Sequence, residues 1–202
     1  MGRIQGFPAF TLVWAGQLIS VLATQMSGFA LSIWIFERTN SATALGLAQV
    51  FFITPFLIIS PIAGAMVDRY DRKWMMALSD LSAGVATLAL LGLQAFGSLE
   101  VWHLYAAALL QGLGNAFQWP AYSAAISLMV PKEQLGRANG MMSLIEAGPA
   151  VIAPFAAGAL LPFIGLTGVL TADVVTFVLA VVSLVLVVIP PAPVSIAGAQ
   201  AR

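Results

Sequence analysis

Charges punctuate this chain, and almost everything between them is apolar. No charged residue lies between Arg3 and Glu37, nor between Arg38 and Asp68. A membrane-crossing helix needs about 20 consecutive apolar residues, and the uncharged stretches are long enough. The pattern predicts six spans, at about 9–36, 45–66, 75–96, 101–129, 138–161 and 166–189. Polar loops separate them: ERTNSAT after the first, DRYDRK after the second, GSLE after the third and PKEQLGR after the fourth. A Pro-Gly turn at 162–165 is expected between the last two. Residues 1–190 therefore read as one six-helix transmembrane domain, all-α. The Pro/Ala-rich stretch 191–202 reads as a disordered tail or the start of a linker.

Composition supports this pattern. Of the 202 residues, 60% are hydrophobic and 8% are charged, whereas a soluble domain carries about 25% charged residues to cover its surface. Net charge is zero, so nothing in the charge favours nucleic acid. The chain has no cysteine and one histidine, which leaves no thiolate, zinc or haem set. No P-loop, HExxH or GxSxG motif occurs, so neither an ATP motor nor an enzyme is expected, and no cofactor is called for. The apolar stretch after Arg3 outruns a signal-peptide core and is read as a retained span.

Lys and Arg fix the expected orientation. Six spans put both termini on one side with the loops after spans two and four. That side holds Arg3, Arg69, Arg72, Lys73, Lys132, Arg137 and Arg202, and the other holds only Arg38. The termini are expected in the cytoplasm, with the chain in the cell (plasma or inner) membrane. Span two carries Pro55 and then SPIAGAM, and span five carries Pro149 and then APFAAGAL. The match relates spans one to three to spans four to six as two inverted three-helix repeats, a plan of secondary transporters.

Ionisable groups inside spans each need a reason, because a charge at the bilayer centre costs roughly 2.5–3.5 kcal/mol on insertion scales. Glu146 lies roughly 13 Å past Arg137 at 1.5 Å per residue, near the midplane, and is the first candidate for a proton or substrate-cation site. Asp173, with the amides Gln17, Gln111 and Asn115, is a further pathway candidate. The same amides also suit helix–helix contacts. Asp80 is expected in a structural ion pair with Arg137 or Arg72.

The loop GAMVDRYDRK, 64–73, resembles the signature loop of the major facilitator superfamily. Gly64, Asp68, Arg69, Arg72 and Lys73 match, while Asp71 stands where the family has a second glycine. The resemblance implies a latch role for Asp68 and Arg72. Arg69 and Lys73 are also accounted for as a positive-inside loop. On span four, Leu104, Gln111, Gly112, Gly114 and Ala116 resemble a second motif, with Ala108 where that motif has an arginine. The segments FTLVWAGQLIS, AFQWPAYSAA and VPKEQLGRANG extend the likeness to the macrolide-efflux and enterobactin-exporter branch.

The resemblance implies half of a twelve-span transporter, exporting small amphipathic molecules by alternating access. Its expected partners are the lipid bilayer, a small-molecule substrate and a second six-helix half or a homodimer. The rival expectation is a truncated half that inserts without transporting.

Overall fold

A computed structural model describes residues 5–187, apart from the side chain of Asp68. Arg3, Arg202 and the expected tail at 191–202 lie outside the described residues, as do the last two residues, 188–189, of the expected sixth span. The described chain is helical nearly throughout. Helix α1 runs Gly6–Thr39, α2 Ala42–Arg69, α3 Arg72–Ala95 and α4 Val101–Met129. A 3-10 turn, Lys132–Gln134, leads into α5, Leu135–Leu186. By length and composition, α1, α3, the Ala42–Val67 part of α2 and the Lys132–Leu186 stretch are apolar and long enough to cross a membrane. Helix α4 has 29 residues, but Gln111, Asn115 and Gln118 make it less apolar.

Local chemistry sets the helix ends. Helix α1 stops at Asn40, which takes the left-handed conformation (φ 48°) while its N–H bonds the Phe36 carbonyl. Asparagine tolerates that region better than most residues. Ser41 then caps α2 by accepting from the Ala44 N–H. Asp71 caps α3, accepting from the N–H groups of Lys73 at 2.8 Å and Trp74 at 3.3 Å, as an N-terminal aspartate does. The loop is thus turned by a capping acid. His103 accepts from the Glu100 N–H at 3.0 Å and lies against Trp102, so it helps to start α4.

The two expected last spans are joined differently from the expected turn at 162–165. Helix runs through Pro162, and the break is confined to Gly165, at φ 65° and ψ 178°. A straight helix of these 52 residues would be about 78 Å long at 1.5 Å per residue, more than twice the ~30 Å hydrocarbon core. The break lets the chain reverse. Ala138 and Met142 near its start share one core cluster with Leu184 and Val187 near its end.

Helix α1 packs chiefly on α5, α2 on α4, and α3 on both α4 and α5. Two apolar clusters hold the bundle. One joins Phe10, Met76, Ile126, Met142 and Leu184. The other joins Ile35, Leu90, Leu104, Ala157 and Leu170. Glycines bring the helices close. A Cβ at Gly112 would run into the Phe52 carbonyl of α2, and one at Gly84 into the Phe177 ring of α5. Such approach is how membrane helices gain packing when lipid supplies no hydrophobic drive between them.

Candidate functional site: a polar cavity among the helices

A cavity of about 470 Å³ opens among α1, α2, α3, α4 and α5. Its wall is apolar along Val21, Phe52, Leu104 and Phe177 and polar along α1 and α4. Four of the five expected pathway residues line it: Gln17, Gln111, Asn115 and Asp173. Asp80 lines it too. Among the described residues no lysine, arginine or histidine does, so the two aspartates dominate its electrostatics.

Helical spacing explains the α4 wall. Gln111, Asn115 and Gln118 recur at i, i+4 and i+7, the period of one helix face. Gln118 was not among the sequence candidates, though this stripe marked it. Asp80 is the centre of a three-residue network. Gln17 Nε2 donates to its Oδ2 at 2.8 Å, and Gln118 Nε2 donates to its Oδ1 at 2.9 Å. The same Gln118 nitrogen lies 3.0 Å from Gln17 Oε1. The expected ion pair of Asp80 with Arg137 or Arg72 is therefore not formed. Two amides satisfy the carboxylate, while the Arg137 guanidinium lies over the Phe7 ring at 4.9 Å. Arg72 has a buried Nε without a hydrogen-bond partner. Gln118 Oε1 and the Tyr122 hydroxyl, one turn further along α4, are also buried without partners.

Asp173 is 2% exposed. Thr24 of α1 donates to its Oδ1 at 2.8 Å and Thr87 of α3 to its Oδ2 at 3.0 Å. Three helices thus meet on one carboxylate. Neither threonine drew attention in the sequence, because an isolated threonine in an apolar span carries no pattern. Glu146 is exposed on the outside of α5 and does not line the cavity. Its position along the helix was readable, but the face it occupies was not.

In the signature loop, Arg69 is exposed, and Gly64 has open space around a Cβ position. Lys73 Nζ donates to the Val187 carbonyl at 2.6 Å and the Val185 carbonyl at 3.2 Å. Among the described residues, no group of three or more His, Cys, Asp or Glu side chains converges as a metal site.

Comparison with known proteins fits this architecture. The chain is 30% identical over 181 residues to macrolide efflux protein A of Streptococcus pyogenes, covering 90% of this chain and 45% of that protein. It is 30% identical over 151 residues to macrolide efflux protein A of Enterococcus faecalis, covering 75% and 46%. It is 25% identical over 196 residues to the enterobactin exporter EntS of Salmonella choleraesuis, covering 96% and 47%. The chain thus spans about half the length of these relatives. With helices built to cross a membrane around a polar cavity, and residues 13–201 matching the profile of the Major Facilitator Superfamily, the chain is a multi-pass membrane protein of that transporter family.

Proposed function

We propose that this chain is one six-span half of a secondary active exporter of small amphipathic molecules, working by alternating access. The observation that carries the reading is the cavity. It pairs an apolar wall with two carboxylates and a stripe of amides, as a site for a small amphipathic ligand needs. The efflux activity named for its relatives points the same way. The chain reversal at Gly165 turns α5 into two crossings, so the bundle crosses six times. Prolines inside α2 and α5 then fall at matching places of two inverted three-helix repeats.

The site is completed by a second six-span half or a second copy. Glu146 supports this. An exposed carboxylate facing lipid near the midplane is costly, so its face of α5 turns toward a partner or a water-filled path. Gln17, Gln111, Asn115 and Asp173 form the pathway of this half. Asp68 and Arg72 form its cytoplasmic latch, and both termini lie in the cytoplasm of a cell bearing the chain in its plasma or inner membrane.

The test is accumulation of a fluorescent amphipathic dye in pump-deficient cells. Cells making the chain as a tandem fusion of two copies are expected to hold several-fold less dye than cells making a Gln111→Leu/Asn115→Leu fusion. Equal accumulation would sink the reading for two copies of this chain and leave only a distinct second half to complete the site. Reporter tags on the two ends should both report the cytoplasm, and tags in opposite compartments would rule out six spans.

A further inference from the structure

We propose that Asp80 is the proton-binding group of this cavity and that Gln118 is its switchable hydrogen-bond partner. The consequence, coupling of proton movement to transport, rests on the transport reading above; the proton site itself does not.

The two forms of the carboxyl need different hydrogen bonds. An ionised carboxylate only accepts, and here it receives one amide N–H from Gln17 and one from Gln118. A protonated carboxyl has an O–H to place, and a buried donor without an acceptor is costly. Gln118 holds the matching acceptor. Its Oε1 is buried and makes no hydrogen bond, although the rest of the amide is fully engaged with Asp80 and Gln17. A half-turn about the last torsion of the glutamine, a soft two-fold rotation, exchanges its N–H for its oxygen in front of Asp80. A proton taken from cavity water then bonds to Asp80 Oδ1, and the new O–H donates to Gln118 Oε1. Loss of that proton to water reverses the rotation. Both states of the carboxyl thus find a partner in Gln118, and the rotation withdraws the N–H that Gln17 Oε1 accepts in the ionised state.

Asp80 is the accessible carboxylate of the cavity. It is partly exposed on the wall, whereas Asp173 is 2% exposed and held by two hydroxyls from α1 and α3. The groups facing Asp80 are few. Helix α1 brings Gln17 and α4 brings Gln118, with the Tyr122 phenol one turn beyond. Helix α5 brings Asp173 to the same cavity, and α2 lines it with Ala48, Gln49 and Phe52. On α3 itself the other charged residues are Arg72 and Lys73 at its start. Among the described residues no cation is placed in the cavity wall to fix the charge of Asp80.

Infrared difference spectroscopy of the purified full chain in lipid, stepped between acid and alkaline pH, tests this without any transport assay. A carboxylic C=O band is expected at the acid step. Its Asp80 component, over the signal of the seven other Asp and Glu side chains, should be lost in Asp80→Asn and remain in Asp173→Asn. An undiminished band in Asp80→Asn overturns the proposal. In Gln118→Leu the carboxyl loses its acceptor, so the band should remain but move in frequency, with a changed titration midpoint. An unchanged frequency and midpoint would overturn the role of Gln118. That variant and Asp80→Glu, which should shift the same band, keep the question answerable if Asp80→Asn does not fold. A titrating Asp80 in a chain that moves no dye would count against the transport reading and leave the proton site standing.

Discussion

Lys73 reaches from the start of α3 to the end of α5, and its ammonium lies 2.6 Å from the carbonyl oxygen of Val187. It also reaches the Val185 carbonyl at 3.2 Å. The last carbonyls of a helix have no partner within it, and cations near them are favoured by the helix dipole. A basic residue that the topology of the loop already explains is therefore also a C-terminal cap on a distant helix. Lys73→Met should lower stability by about 1–2 kcal/mol. Thermal unfolding in detergent, followed by tryptophan emission, reads this as a lower midpoint. Lys73→Arg should recover part of the loss, and an unchanged midpoint in Lys73→Met would show that the contact contributes nothing.

Close helix approach makes a sharper prediction. At Gly112 an added Cβ would strike the Phe52 carbonyl and the Pro55 ring of α2. Backbone atoms cannot swing away, so α2 and α4 must part. Gly112→Ala should cost about 1–3 kcal/mol, the range for overpacking. At Gly158, on α5, nothing lies within 4 Å of the same atom. Gly158→Ala should be neutral or stabilising by up to about 1 kcal/mol, because alanine is the better helix former. The same unfolding measurement on both variants separates close packing from propensity. Equal effects would remove the argument.

Much of this was legible in the sequence. Charge spacing placed the helices, since a hydrocarbon environment forces nearly every backbone group into helical hydrogen bonds. Helix α4 coincides with the uncharged stretch 101–129, whereas the stretches read as the last two spans fall in one helix element, α5, broken at Gly165. Position along a helix was legible too, because rise per residue is fixed. Facing was not. Glu146 and Asp173 both lie well inside long apolar stretches, yet one is exposed on the outside of the bundle and the other lines its cavity. Helices that are apolar all round give no stripe to say which way they turn. The α4 amides were the exception, and their spacing does predict the cavity wall. Asp80 was assigned to an arginine because opposite charges are the obvious partners. The structure pairs it with Gln17 and Gln118, from helices distant in sequence.

Asp173 joins three helices, so its partners should be coupled. Thr24→Val and Thr87→Val each remove one hydroxyl donor while keeping shape. Each should cost about 1–3 kcal/mol, the range for a buried acceptor left short of a partner. In the Asp173→Asn background the same changes should cost less, because the acceptor they serve has changed. A double-mutant cycle on thermal midpoints measures the difference. Strict additivity would mean that these hydroxyls and the carboxylate do not depend on one another.

Gly165 decides whether α5 is one helix or two. Its φ of 65° and ψ of 178° lie in a region that essentially only glycine occupies. Space is not the reason for a glycine there, since a Cβ would meet nothing within 4 Å. The constraint is conformational alone. Gly165→Ala should therefore cost about 1–3 kcal/mol, without the steric clash that governs Gly112. The damage should be felt far away. If the backbone relaxes toward continuous helix, the 135–164 and 166–186 arms swing apart, and Ala138 and Leu184 no longer share one core. A crosslink between Ala138→Cys and Leu184→Cys, made by a flexible bifunctional thiol reagent in a chain with no native cysteine, reports that pairing directly. It should form readily with Gly165 in place and poorly with alanine there. Equal crosslinking in both would mean that packing alone, and not the glycine, folds the chain back.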